Sequence, residues 1–259
     1  MISGISELYA RRELLLMWTM REIRARYTQS RLGLVWALFQ PVVLSLIYVF
    51  VALILKIPSD GVPYPIFVYV AQLPWSFFSR GLLGAVPSIV SNMNLVTKVY
   101  VPRAVFPLSS IATCFVDFLI GIVVLILMML AYRIPLNPAM PFLVVLLVIQ
   151  MLLMSGLGLL FAAMNVFSRD IGQLLPLTLQ IFVYLCPIIY PLSMVPERFR
   201  ALYLLNPMAT LIDGYRQVLF NGVIPDLRYI ALAACIAVVV FIIGFALFRR
   251  VEDQFADVI

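Results

Sequence analysis

Charged side chains and long uncharged runs alternate along this chain in blocks. Six arginines fall between Arg11 and Arg31, and residues 32–55 then pass without a single charge. At about 1.5 Å per helical residue, such a run is long enough to cross a hydrocarbon core of roughly 30 Å. The pattern repeats five times. A second predicted span covers roughly 64–86 and is broken only by Arg80; a third covers 104–132 and is broken only by Asp117. Residues 134–168 are uncharged throughout, with Pro135, Pro138 and Pro141 marking a loop before a fourth span that begins near Met140. Residues 171–196 read as the fifth span and 229–248 as the sixth. Proline has no amide hydrogen to give a helix, so it marks the starts, ends and kinks of these segments.

Two segments are amphipathic rather than spanning. In the first, Leu16, Met20, Ile23 and Tyr27 share one helical face, with Arg21, Glu22, Arg24 and Arg26 opposite. A helix of that kind is expected to lie along the inner membrane surface. In the second, Leu211, Ile212, Tyr215, Val218 and Leu219 oppose Asp213, Arg216 and Gln217. It belongs to residues 197–228, a stretch too charged to span and too apolar for a plain loop, which short interfacial or re-entrant helices fit best.

An even number of spans puts both termini on one side, and the basic residues say which. Eleven lysines and arginines fall on the side of the termini against six on the other, and cytoplasmic loops carry that excess. The expected architecture is an all-α membrane protein with six transmembrane helices and cytoplasmic termini. Residues 1–31 form an interfacial helix, 32–250 the membrane domain and 197–228 the outer helices, all within one domain spanning 1–259. The short apolar stretch at 14–20 is bracketed by charge and lacks a small-residue cleavage pattern, so it does not read as a signal peptide.

Composition narrows the chemistry. Hydrophobic residues make up 64% of the chain, against about 45–50% in soluble domains. A basic balance in so apolar a chain reflects loop topology, not nucleic-acid binding. Cys114, Cys186 and Cys235 all sit in apolar runs, which argues against disulfides and thiolate metal clusters. No histidine is present, which removes imidazole bases, HExxH zinc sites and the usual catalytic triads. The two lysines, Lys56 and Lys98, follow no glycine-rich loop, so a phosphate-cradling motif is missing. No pair of acids looks like a catalytic dyad. That leaves transport, a channel or a structural subunit, with no catalytic, cofactor or metal residues expected in the chain. Six helices, each roughly 10 Å across, leave little lumen, so a bulky substrate calls for a second copy.

Local sequences carry a family resemblance. The segments at 20–41 (MREIRARYTQSRLGLVWALFQP), 94–108 (NLVTKVYVPRAVFPL), 165–175 (NVFSRDIGQLL) and 205–220 (LNPMATLIDGYRQVLF) resemble landmarks of polysaccharide-export ABC transporter permeases, with spacing preserved over residues 18–250. The resemblance implies a homodimeric permease of the bacterial inner membrane that works with a separate ATPase subunit, which would hold ATP and Mg. The cargo it implies is a lipid-linked glycan: O-antigen, capsular polysaccharide or teichoic acid. The wording at 206–216 is closer to the O-antigen and teichoic acid branch. An exporter of drugs or small lipids with the same architecture is the alternative. By position, the ATPase would meet Arg21, Arg24, Asn94, Lys98 and Arg169, and the short helices between spans five and six would be the outer gate.

Individual residues have two readings each. Arg26, Arg31 and Arg103 are candidates for the substrate's diphosphate headgroup, since arginine forks suit phosphate; topology with anionic lipid is the simpler explanation, and the ATPase contact competes for the same side chains. Arg80 and Asp117 are intramembrane charges, expected as a structural pair ahead of a proton-coupled site. Tyr69, Trp75, Phe78, Phe182, Tyr184 and Tyr190 are candidates to line a sugar path, with helix packing and the interfacial aromatic belt as the competing explanations. Gly156 and Gly158 are expected to allow close helix approach.

Overall fold

A computed structural model describes residues 11–28, 35–96 and 101–255, most of them helical, and no strand occurs among them. The principal helices are α1 (Arg12–Thr28), α2 (Val35–Leu55), α3 (Tyr64–Ala85), α4 (Val105–Ala131), α5 (Phe142–Phe167), α6 (Asp170–Phe182), α7 (Glu197–Tyr203), α8 (Pro207–Arg216) and α9 (Leu227–Val251). By length and composition, α4, α5 and the last helix are long and apolar enough to cross a membrane. Four of the expected spans, the second, third, fourth and sixth, coincide with helices to within about three residues.

The α3 helix forms the centre. Every residue from Ile66 to Phe78 is buried, so the helix is wrapped on all sides, by α2, α4, α5 and α8. A surface helix would show an apolar stripe and a polar one instead. The α5 and α9 helices approach closely, and glycine makes it possible. A Cβ on Gly156 would lie 2.6 Å from the Phe241 backbone, and one on Gly244 would strike the Gly156 carbonyl. Here backbone meets backbone, as expected of small residues where helices approach in an apolar medium.

Both described ends of the chain gather at one end of the bundle. Trp18 of α1 packs edge-on against Phe106 at 5.0 Å, in a cluster that also contains Phe248 and Phe255. At the opposite end, Lys56, Asp60 and Gly61 take positive φ to turn the chain from α2 into α3. Asn206 caps α8 by accepting from the Met208 amide at 3.1 Å, with Pro207 in the first helical position.

The expected fifth span is not one helix. The α6 helix stops at Phe182 and is followed by a 3-10 turn, Val183–Leu185, and then by irregular backbone. Thirteen residues at about 1.5 Å each reach only about 20 Å. The cause is Pro187, which disfavours helical geometry in Cys186 (φ −120°, ψ 145°) and has no amide hydrogen to continue the ladder. Pro191 and Pro196 repeat the interruption before α7.

Candidate functional site

Two polar assemblies lie at opposite ends of α3. The first joins α1 to the bundle. Trp18, Glu22 and Arg26 recur every four residues and so share one face of α1. That face is laid against α4. The Glu22 carboxylate accepts from Ser109 and Thr113, both at 3.2 Å, and from Ser110 at 3.4 Å. One turn further on, the Arg26 guanidinium reaches Asp117 at 2.8 Å. Arg80 of α3 approaches the same carboxylate oxygen at 3.8 Å while donating to the Ser76 carbonyl. Asp117 is 2% exposed, and the two arginines set positive charge against its buried carboxylate. Two acids and two bases thus close on one another at the junction of α1, α3 and α4, and hydroxyls fill the gaps.

This geometry keeps part of the sequence reading and alters the rest. The Arg80–Asp117 pair is present, with Arg26 added as the nearer partner. On the amphipathic helix, Leu16 and Met20 are exposed, at 63% and 57%, on the side that a helix lying along a membrane would turn to lipid, while Glu22 and Arg26 face the protein. Arg21 lies over the Trp18 ring at 4.4 Å. Arg24, Asn94 and Arg169 are exposed. Arg103 lies 5.9 Å from the Phe255 ring. Arg31, Lys98 and the side chain of Tyr27 lie outside the described residues.

The second assembly centres on Arg216, the last residue of α8. Its guanidinium donates to the carbonyls of Pro187, Ile188 (2.7 Å), Tyr190 (3.2 Å) and Phe67 (3.2 Å), and lies over the Phe67 ring at 3.6 Å. The Tyr64 hydroxyl takes the remaining carbonyl, that of Ile189. Proline-broken backbone leaves four consecutive carbonyls without helical partners, and one arginine and one tyrosine satisfy all four. Burial pulls the Arg216 pKa down, with Asp213 acting against the shift; the five-donor fork keeps its proton. Burial pushes the Asp213 carboxyl up, and the side-chain hydrogen bond from Gln217 opposes it.

Arg216 did not stand out in the sequence, where it reads as part of the polar face of an amphipathic helix. The available signal was indirect: a proline-interrupted apolar segment needs donors from elsewhere.

Asn165 is a second residue that the sequence reading passed over. It is buried, donates to the Val86 carbonyl at 3.3 Å and accepts from the Gly172 amide at 2.8 Å, tying the ends of α3 and α5 to the start of α6. The polar turn at 165–172 is built around it.

The aromatic candidates separate into two groups. Tyr69, Trp75 and Phe78 are buried within the chain's own core, and Tyr69 donates to the Gly121 carbonyl at 3.1 Å. Phe182 and Tyr184 are exposed at the break after α6, and Tyr190 is half-buried, hydrogen-bonded to the Tyr184 carbonyl and to the Tyr203 hydroxyl.

Comparison with known proteins gives a consistent result. The profile of ABC-2 type transporters matches residues 13–220. An O-antigen export system permease protein of Myxococcus xanthus is 32% identical over 99% of both chains. A Klebsiella pneumoniae protein of the same description is 27% identical over 95% of both. A polysialic acid transport protein of Escherichia coli is 27% identical over 90% of this chain and 92% of its own.

Proposed function

The chain belongs to the ABC-2 type transporter family, a family of transporter permease subunits and not of catalysts, and we propose that it is the permease of an ATP-driven exporter of lipid-linked polysaccharide. The cargo in this reading is an O-antigen-type glycan, moved from the cytoplasmic side across the bacterial inner membrane by a homodimer of six-span subunits. The observation that carries the proposal is the end-to-end correspondence with the Myxococcus O-antigen permease. A capsular cargo is the second reading, favoured by the similarity to the polysialic acid transport protein.

The geometry is compatible with the following mechanism. ATP and Mg are bound by a separate ATPase subunit, which meets the exposed Arg21, Arg24, Asn94 and Arg169. Movement of α1 reaches the bundle through Glu22 and Arg26, whose partners sit on α4. Arg26 is already engaged by Asp117, so its role is coupling in preference to headgroup recognition. The exposed aromatics Phe182 and Tyr184 offer ring faces to a passing glycan at the break after α6. Deleting the gene should trap finished glycan on its lipid carrier inside the cell. A deletion strain with a normal surface glycan would refute the assignment.

A further inference from the structure

A cavity of about 280 Å³ opens at the α8 end of the bundle, bounded by the α2–α3 turn, the backbone after Pro191 and the last turn of α8. Its polar lining includes Asp60, Arg200, Asp213, Arg216, Gln217 and Asn221. Several of these groups are fixed before any ligand arrives. Asp60, held at φ +50°, accepts from Ser193 at 3.0 Å. Asp213 accepts from Gln217, and Arg216 is locked on its four carbonyls. Arg200 is the exception, because its buried Nε has no hydrogen-bond partner among the described residues.

The charges decide the chemistry of the ligand. Two carboxylates and two guanidiniums balance, so the cavity offers no net charge to a phosphate or a metal ion. An anion would face Asp60 and Asp213, and a cation would face Arg200 and Arg216. Carboxylates that accept, guanidiniums that donate and amides that do both are instead the set needed by adjacent hydroxyls, each of which donates and accepts. The Phe67 and Phe220 side chains add apolar wall for the C–H face of a ring. The volume lies just under the roughly 300–1,000 Å³ of small-molecule sites, which suits one ring and not a chain.

We propose that this cavity binds a single sugar residue of the exported polymer. It rests on the export reading above and adds a site to it. The sugar is uncharged, its hydroxyls held by Asp60, Gln217 and Asn221, and it occupies the end of the bundle opposite the charged junction with α1. Holding one unit there gives the emerging chain a resting point between steps.

The test uses the intact complex of permease and ATPase in lipid nanodiscs. Saturation-transfer NMR is recorded with methyl glycosides of the sugars released by hydrolysis of the strain's own surface glycan, and with glycerol phosphate and inorganic phosphate as controls. At least one glycoside should show transfer to its ring protons, reduced fivefold or more in D60N and in N221A. Asn221 is exposed, so its truncation leaves the fold in place if D60N does not assemble. No transfer to any glycoside, transfer in both variants equal to that of the unaltered complex, or displacement by glycerol phosphate would each overturn the proposal. The two readings fail separately. A deletion strain that traps its glycan while the complex ignores glycosides loses only the sugar site. A complex that binds glycosides from a strain whose deletion leaves the surface normal loses only the export assignment.

Discussion

Arg216 holds four backbone carbonyls with one side chain, and its replacement is the most informative single substitution. Lysine carries a charge but concentrates its donors at one point, so R216K leaves several carbonyls without partners. At about 1–3 kcal/mol for each buried polar group orphaned, stability should fall by about 3 kcal/mol or more. Thermal unfolding of the purified permease in detergent measures this, and an unchanged midpoint would show that water replaces the guanidinium. A helical wheel cannot find such a residue, because it ranks positions by polarity and assigns arginine to solvent. Asp117 was easier to read, since an acid in an apolar run needs a cation and Arg80 was in reach. Its nearer partner Arg26 lies 91 residues away in sequence, and nothing local announces it.

Among elements, the helix boundaries at 64–86, 104–132, 140–168 and 229–248 were legible because long apolar runs leave the backbone no alternative to a helix. The α6 break was not legible, because an apolar run with prolines reads equally as a kinked span, and the open backbone is stabilised by tertiary donors, Tyr64 and Arg216 above all, with Tyr190 and Asn206 beside them. The α5–α9 contact offers a graded test. G156A places a methyl group against the Phe241 backbone and should cost about 1–3 kcal/mol. G158A meets the side chains of Ile111 and Ala85 at 3.1 and 3.3 Å, which yield more readily, and should cost less. Equal losses in SDS titrations of the two variants would mean that the helices separate without regard to their glycines.

At the scale of the whole molecule, α1 is held by one aromatic anchor, Trp18, and by the polar links of Glu22 and Arg26 to α4. Polar links break and reform at discrete positions, so α1 suits a part that moves in defined steps. The double variant E22Q/R26A leaves Arg21 and Arg24 in place to meet an ATPase but cuts the links to α4. The complex should co-purify with its ATPase and hydrolyse ATP while surface glycan falls several-fold. Full export by this variant would exclude α1 as the transmitting element. The carbonyl clamp also has a consequence during synthesis. The carbonyls of Pro187, Ile188 and Tyr190 leave the ribosome 29, 28 and 26 residues ahead of the arginine that satisfies them. In lipid, each unpaired carbonyl costs several kcal/mol. The segment after α6 therefore stays beside water or the insertion machinery until α8 has been made, and the stretch from α6 through α8 enters the membrane as one unit.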